Sequence, residues 1–100
     1  MTNVLRDYEL VFIAVSQLDD QGMATLTERV SGWVTTAGGL ITGTNVWGRR
    51  PLTYAIGKNR EGIYVQLNFQ LAPSATRELE RSLRIDEQVI RHMLIRLDEK

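Results

Sequence analysis

Cysteine is absent, so disulfide frameworks, thiolate zinc sites and cysteine nucleophiles are excluded from the outset. Histidine occurs once, at His92, with no partner motif that would make it a catalytic base. No apolar run approaches the roughly 20 residues that a membrane span needs. The longest, Leu10 to Val15, has the length of a strand. Met1 to Arg6 lacks the basic, apolar, small-residue order of a secretion signal. A chain in the cytoplasm with no membrane partner is the expectation.

What remains is an ordinary composition: 100 residues, 43% hydrophobic and 24% charged. A chain of this size buries roughly 60–70% of its unfolded surface, enough for one core without staples. A single domain over residues 1–100 is expected. Twelve basic residues balance twelve acidic ones, which speaks against a nucleic-acid binder at first sight. The balance is uneven along the chain, however. Arg49, Arg50, Lys58 and Arg60 fall within residues 49–60 with no acid among them, while the flanking stretches are net acidic. Ten of the twelve cations are arginine, the side chain suited to bidentate contacts with phosphate or carboxylate.

Tyr8 to Val15 is apolar on both faces, as in a central strand. Asp19 or Asp20 caps a helix whose inward stripe runs Met23, Leu26, Val30, Trp33 or Val34, and Ala37. Gly38-Gly39 ends it. The next extended stretch, from Leu40 to Ile56, is interrupted by Gly43, Gly48 and Pro51 and reads as an edge strand. A turn over Gly57–Gly62 leads into a strict alternation, in which Ile63, Val65, Leu67, Phe69 and Leu71 occupy one face. Pro73-Ser74 opens a second helix, with Ala75, Leu79 and Ser82 or Leu83 inward and a Glu80–Arg84 pair outward. Val89 to Leu97 is the last strand.

The order βαββαβ predicts a ferredoxin-like α+β sandwich: a four-stranded antiparallel sheet with two helices on one face. The first and third strands are central and the second lies at an edge. One sheet face stays open, carrying Val11 and Ile13 beside Tyr64, Gln66 and Asn68.

No enzyme chemistry emerges. Asp19-Asp20 reads as a cap and turn, and Asp86-Glu87 as a solvent-exposed connection. Gly57-Lys58 lacks the upstream glycine of a phosphate-binding loop, and the remaining glycines form no dinucleotide fingerprint. Gly32, inside the first helix, points to close packing there. The sequence calls for no cofactor, metal or small-molecule substrate. The RNA-recognition motif shares this fold, but it stacks bases on paired aromatics of its first and third strands. Arg60-Glu61-Gly62-Ile63-Tyr64-Val65 offers one aromatic where two are needed.

Gly48-Arg49-Arg50-Pro51-Leu52-Thr53-Tyr54, read with Arg60 to Val65, resembles the bacterial small-subunit ribosomal protein S-six family. Gly48, Arg50, Leu52 and Tyr54 match the family pattern. Tyr8-Glu9, Gly38, Glu78-Leu79-Glu80-Arg81, Leu83-Arg84 and Val89-Ile90-Arg91 extend the match over about residues 5–98. Pro51, Thr53 and Ala55 depart from the pattern, and no contact from the charged C-terminal extension of many members is expected with the sequence read to Lys100.

The resemblance implies a structural ribosomal protein that binds 16S ribosomal RNA in the platform as a heterodimer with ribosomal protein S-eighteen. Arg49, Arg50, Lys58 and Arg60 are the expected RNA contacts, since four cations on one hairpin can position a phosphate backbone. Arg49 and Arg50 point to opposite sides if the strand is regular. Trp47 and Tyr54 read as hairpin packing. Val11, Ile13, Tyr64 and Gln66 form a candidate partner face. The same open face also fits a ferredoxin-like module that self-associates or senses a ligand without binding RNA.

Overall fold

The computed structural model describes residues 4–97. Six main elements follow in order: β1 (Arg6–Val15), α1 (Asp20–Thr36), β2 (Leu40–Ile56), β3 (Asn59–Leu71), α2 (Thr76–Ile85) and β4 (Val89–Arg96). The strands form one antiparallel sheet in the order β2-β3-β1-β4. This is the ferredoxin-like arrangement, with β1 and β3 central and β2 at an edge.

The β1–β3 ladder runs without a break from Arg6 opposite Leu71 to Val15 opposite Gly62. Side chains alternate along a strand, so one choice of register sends Tyr8, Leu10, Phe12 and Ala14 to the same face as Ile63, Val65, Leu67, Phe69 and Leu71. All nine are buried. Tyr8 and Phe69, directly opposed, stack with ring centroids 5.9 Å apart. Met23, Leu26, Val30 and Val34 of α1 and Leu79 and Leu83 of α2 close over them. Full burial of one such aliphatic or aromatic side chain stabilises the fold by about 1.5–3 kcal/mol.

Helix ends follow the local chemistry. Asp19 is the cap of α1, its Oδ1 accepting from the Gly22 amide at 2.7 Å. Pro73–Ala75 makes a single 3-10 turn before α2. Between Val34 and Trp33, and between Leu83 and Ser82, the buried member is Val34 and Leu83 in turn.

Several local expectations are corrected. Ala37 does not continue the inward stripe: it is the exposed C-cap of α1. Gly32 is not there for close packing, since a Cβ at that position would meet open space. Glu80 turns to His92, Oε2 to Nε2 at 3.2 Å, rather than to Arg84. Asp86 is not a solvated connector, being only 11% exposed and gripped by Arg29 through both carboxylate oxygens. Arg29 also donates to Gln88 Oε1 at 2.8 Å, so it ties α1 to the α2–β4 connection. The turn over Gly57–Gly62 shrinks to Gly57-Lys58, because Asn59 already pairs with Ile56.

Gly62 illustrates how tightly the ladder is drawn. A Cβ there would overlap Ile13 Cγ2 and press on the Ala14 carbonyl. Gly62→Ala is therefore expected to destabilise the protein by about 1–3 kcal/mol, with partial recovery on adding Ile13→Ala. Urea denaturation of the single and double variants measures both effects.

Candidate nucleic-acid and partner interface

Beyond a register shift between Ile41 and Gly43, the second and third strands form a long hairpin that departs from regular pairing at two further places on the β2 side. The first is a bulge between Val46 and Gly48. Gly48 sits at φ 102°, a region that L side chains rarely enter, which is why glycine stands there. The extra residue changes which face each neighbour uses. Trp47 and Arg49, two apart, would share a face in a regular strand. Here Arg49 lies opposite the buried-face residue Ile63, while Trp47 stacks on Tyr64 of the open face, with centroids 6.1 Å apart and planes 5° from parallel.

Arg50 joins the open face, its guanidinium 5.9 Å from the Trp47 ring, a cation–π arrangement. Arg49 goes to the other side and is held there, its Nη2 donating to the Ser16 carbonyl at 2.7 Å and more weakly to that of Leu18 at 3.4 Å. The two arginines thus diverge. One is free to meet a ligand, and the other braces the hairpin against the β1–α1 loop. Beside Arg49 a groove of about 490 Å³ separates the hairpin from α1, lined by Leu18, Met23, Val46 and Ile63 with Asp20 and Glu28 at its rim.

The second irregularity spans Pro51 to Ile56, where β2 carries more residues than the facing Glu61-Arg60-Asn59 segment. Pro51, Thr53 and Ala55 all fall inside it. Tyr54, expected to pack on the hairpin, is 82% exposed. Lys58 occupies the turn and Arg60 the first residues of β3, both exposed. By strand alternation Arg60 shares the face of Gly62, Tyr64 and Gln66.

The open face continues across the sheet. In register, Ile13 lies between Tyr64 and Arg91, and Val11 between Gln66 and Met93. Gln66 is fully engaged: its Oε1 accepts from Trp47 Nε1 at 3.2 Å, and its Nε2 donates to Asn68 Oδ1 at 3.0 Å and Glu9 Oε1 at 3.3 Å. Val11, Ile13 and Tyr64 are half-buried and line a shallow depression with Arg91 and Met93. Met93 is 56% exposed, and Ile95 lies two residues further along the same face.

The structure therefore gathers Arg50, Trp47, Tyr64, Gln66, Val11 and Ile13 on one face, with Arg60 by alternation. It sends Arg49 to the other and leaves Tyr54 standing apart. Met93 and Ile95 were missed from the sequence, although their alternation with His92 and Leu94 was the signal. The Trp47–Tyr64 pair was missed because the bulge that creates it inverts the parity of β2.

Strand order and helix placement define the class: a ferredoxin-like α+β protein with a cationic edge hairpin beside an aromatic sheet face. The family model for Ribosomal protein S6 matches residues 7–96. The small ribosomal subunit protein bS6 of Clostridium acetobutylicum is 39% identical over 95% of this chain and 100% of its own length. That of Dehalococcoides mccartyi is 42% identical over 96% of this chain and 88% of its own. The crystal structure of 30S ribosomal protein S6 from Thermotoga maritima superposes with a TM-score of 0.87 at 28% identity, covering 94% of this chain and 89% of that one. The C-terminal domain of the MgtC protein from Mycobacterium tuberculosis, at 12% identity and a TM-score of 0.66, shares the fold alone. The chain belongs to the ribosomal protein S6 family, the S-six family of small-subunit ribosomal proteins.

Gly48 controls the face assignment, so Gly48→Ala is expected to cost about 1–3 kcal/mol through backbone strain. It should also weaken the near-ultraviolet circular dichroism of the Trp47–Tyr64 stack below the unfolding transition. Gly43→Ala, at a position without the left-handed backbone, should leave that signal in place.

Proposed function

We propose that this small-subunit protein, working as a single domain on the cytoplasmic ribosome, binds 16S ribosomal RNA in the platform together with ribosomal protein S-eighteen. The observation that carries this reading is the adjacency of two unlike surfaces. Arg50 and Arg60 lie on the same face as the Trp47–Tyr64 stack, with Lys58 at the hairpin tip. Next to them the sheet exposes Met93 and Ile95 beside the half-buried Val11 and Ile13. Phosphate contacts suit the first surface, and an apolar patch bordered by polar residues suits docking of a protein.

The net charge of zero supports joint rather than independent binding. A neutral body with one cationic hairpin makes few phosphate contacts, and its affinity for RNA alone is correspondingly low. A basic partner docked on the open face adds phosphate contacts of its own, and the two sets act together in one complex. Arg49 contributes less than its sequence position implies, since its guanidinium is bound to the Ser16 and Leu18 carbonyls. Family membership supports a structural role in place of catalysis.

Filter binding to a platform fragment of 16S ribosomal RNA is the test. The chain alone should bind weakly and lose affinity steeply with salt, and tight binding should need S-eighteen. Equal affinity with and without the partner would sink the joint reading. Replacing Arg50 and Arg60 together by alanine should lower the slope of log affinity against log salt by about one to two units, and Arg49→Ala should change it less. Met93→Glu is expected to release S-eighteen in pull-down while leaving that slope intact. A stable homodimer by light scattering, combined with no RNA affinity, would favour a self-associating module instead.

A further inference from the structure

We propose that the outer flank of α2 and the adjoining edge strand β4 form a second phosphate-backbone site, holding a segment of RNA other than the one at the hairpin. The inference rests on the RNA-binding reading above and extends it to a surface which that reading leaves unused.

Arg77, Arg81 and Arg84 follow one another at spacings of four and three, which aligns them in a single stripe along the helix. Leu79 and Leu83 bury the opposite side. Ala75, Glu78 and Ser82 meet α1 along the seam that contains Gly32 and Trp33. The arginine stripe therefore looks away from α1, out over β4.

A groove of about 660 Å³ runs along it, lined by Thr76, Arg77, Glu80, Arg81, Arg84 and Ile85. Arg84 continues into a smaller groove of about 240 Å³ against Val89 to His92. The one carboxylate in these linings, Glu80, is engaged by His92. Arg91 approaches the same edge from the open face of the sheet.

Among the described residues, Arg77, Arg81, Arg84 and Arg91 have no ion pair or hydrogen bond. Arg29 is the contrast, held from three directions by Asp86 and Gln88. Four uncompensated guanidiniums on one edge repel each other, and an anionic ligand relieves that repulsion. Guanidinium forks favour phosphate oxygens, and a straight row of them favours a repeating anion. Among the described residues the outer edge of β4 pairs with no strand, and outward-facing N–H groups of such an edge are donors of the kind that contact phosphates.

β2 and β4 are the opposite edges of the sheet, about 14 Å apart by strand spacing. Val11 and Ile13 of β1 lie between them on the open face, where the nearest cation on the β4 side is Arg91. Arg50 stands on the open face of the sheet whereas Arg77, Arg81 and Arg84 stand on the helix layer that covers the other face, so the two groups of cations address different segments.

The test pairs two readouts on the full-length chain with the 16S platform fragment. Arg81→Ala with Arg84→Ala should reduce the salt slope by about 1.5 units, with the urea midpoint unchanged. The chain has no cysteine, so an iron–EDTA tether placed at Ile85→Cys reports on this flank alone. Its cleavages should fall on a different RNA segment from those of a tether at Thr53→Cys on the hairpin. If Thr53→Cys cleaves and Ile85→Cys does not, or both cleave one segment, the second site is overturned while hairpin binding stands. If neither tether cleaves and the intact chain binds no RNA at low salt, both readings fall. An unchanged slope, with loss of retention on a polyglutamate resin, would assign the flank to an acidic protein and overturn the proposal.

Discussion

The unbroken pairing of β1 with β3 is the constraint from which the other features follow. Its register is fixed by burial, since a slip of one residue would turn Leu10, Phe12, Val65 and Leu67 into water and bring Val11, Gln66 and Asn68 against the helices. With that register set, both helices have one apolar surface to cover. The reverse surface is left half-polar and uncovered. The outer strands β2 and β4 then hang on the two sides of a finished centre. Their sequences are under less packing pressure, and the unusual features of the molecule lie on them.

On β2 the main device is the bulge at Gly48. By inverting the alternation it separates Arg49 from Trp47 and unites Trp47 with Arg50. A hairpin whose cations looked alike in sequence is thereby divided into a brace and a presenting surface. The residues that depart from the family pattern, Pro51, Thr53 and Ala55, sit where the ladder to β3 loses its register. Proline offers no ladder donor, and an interrupted edge is where such a residue is tolerated. The departure and the irregularity are one feature, and it leaves the bulge and Arg50 untouched.

The charge pattern acquires a similar division. Arg29 and Arg49 are spent within the fold, one on Asp86 and Gln88 and the other on the loop carbonyls. The arginines of α2 and Arg91 are not. A formal charge of zero thus conceals cations of two kinds, and which kind each belongs to depends on what the fold places beside it. Glu80 shows the same: by spacing it faces Arg84 one turn on, but the helix sets it against His92 of the neighbouring strand.

Much of this was readable from residue order. The alternation from Ile63 to Leu71, the two-faced first strand, the Asp19 cap and the prolines were enough for the element order, and the element order for the topology. The cationic stretch and the open face with Val11, Ile13, Tyr64 and Gln66 followed from the same period-two reasoning. These properties are local or periodic, and backbone geometry fixes them before any distant contact forms. What the tertiary structure alone decided is which of the cations are free, which aromatics pair, and which carboxylates are held in ion pairs. Each depends on contacts between residues far apart in the chain: Arg49 with Ser16, Trp47 with Tyr64 and Gln66, Arg29 with Asp86. The bulge at Gly48 makes the point sharpest, for it reverses the parity that a reading of the sequence has to assume.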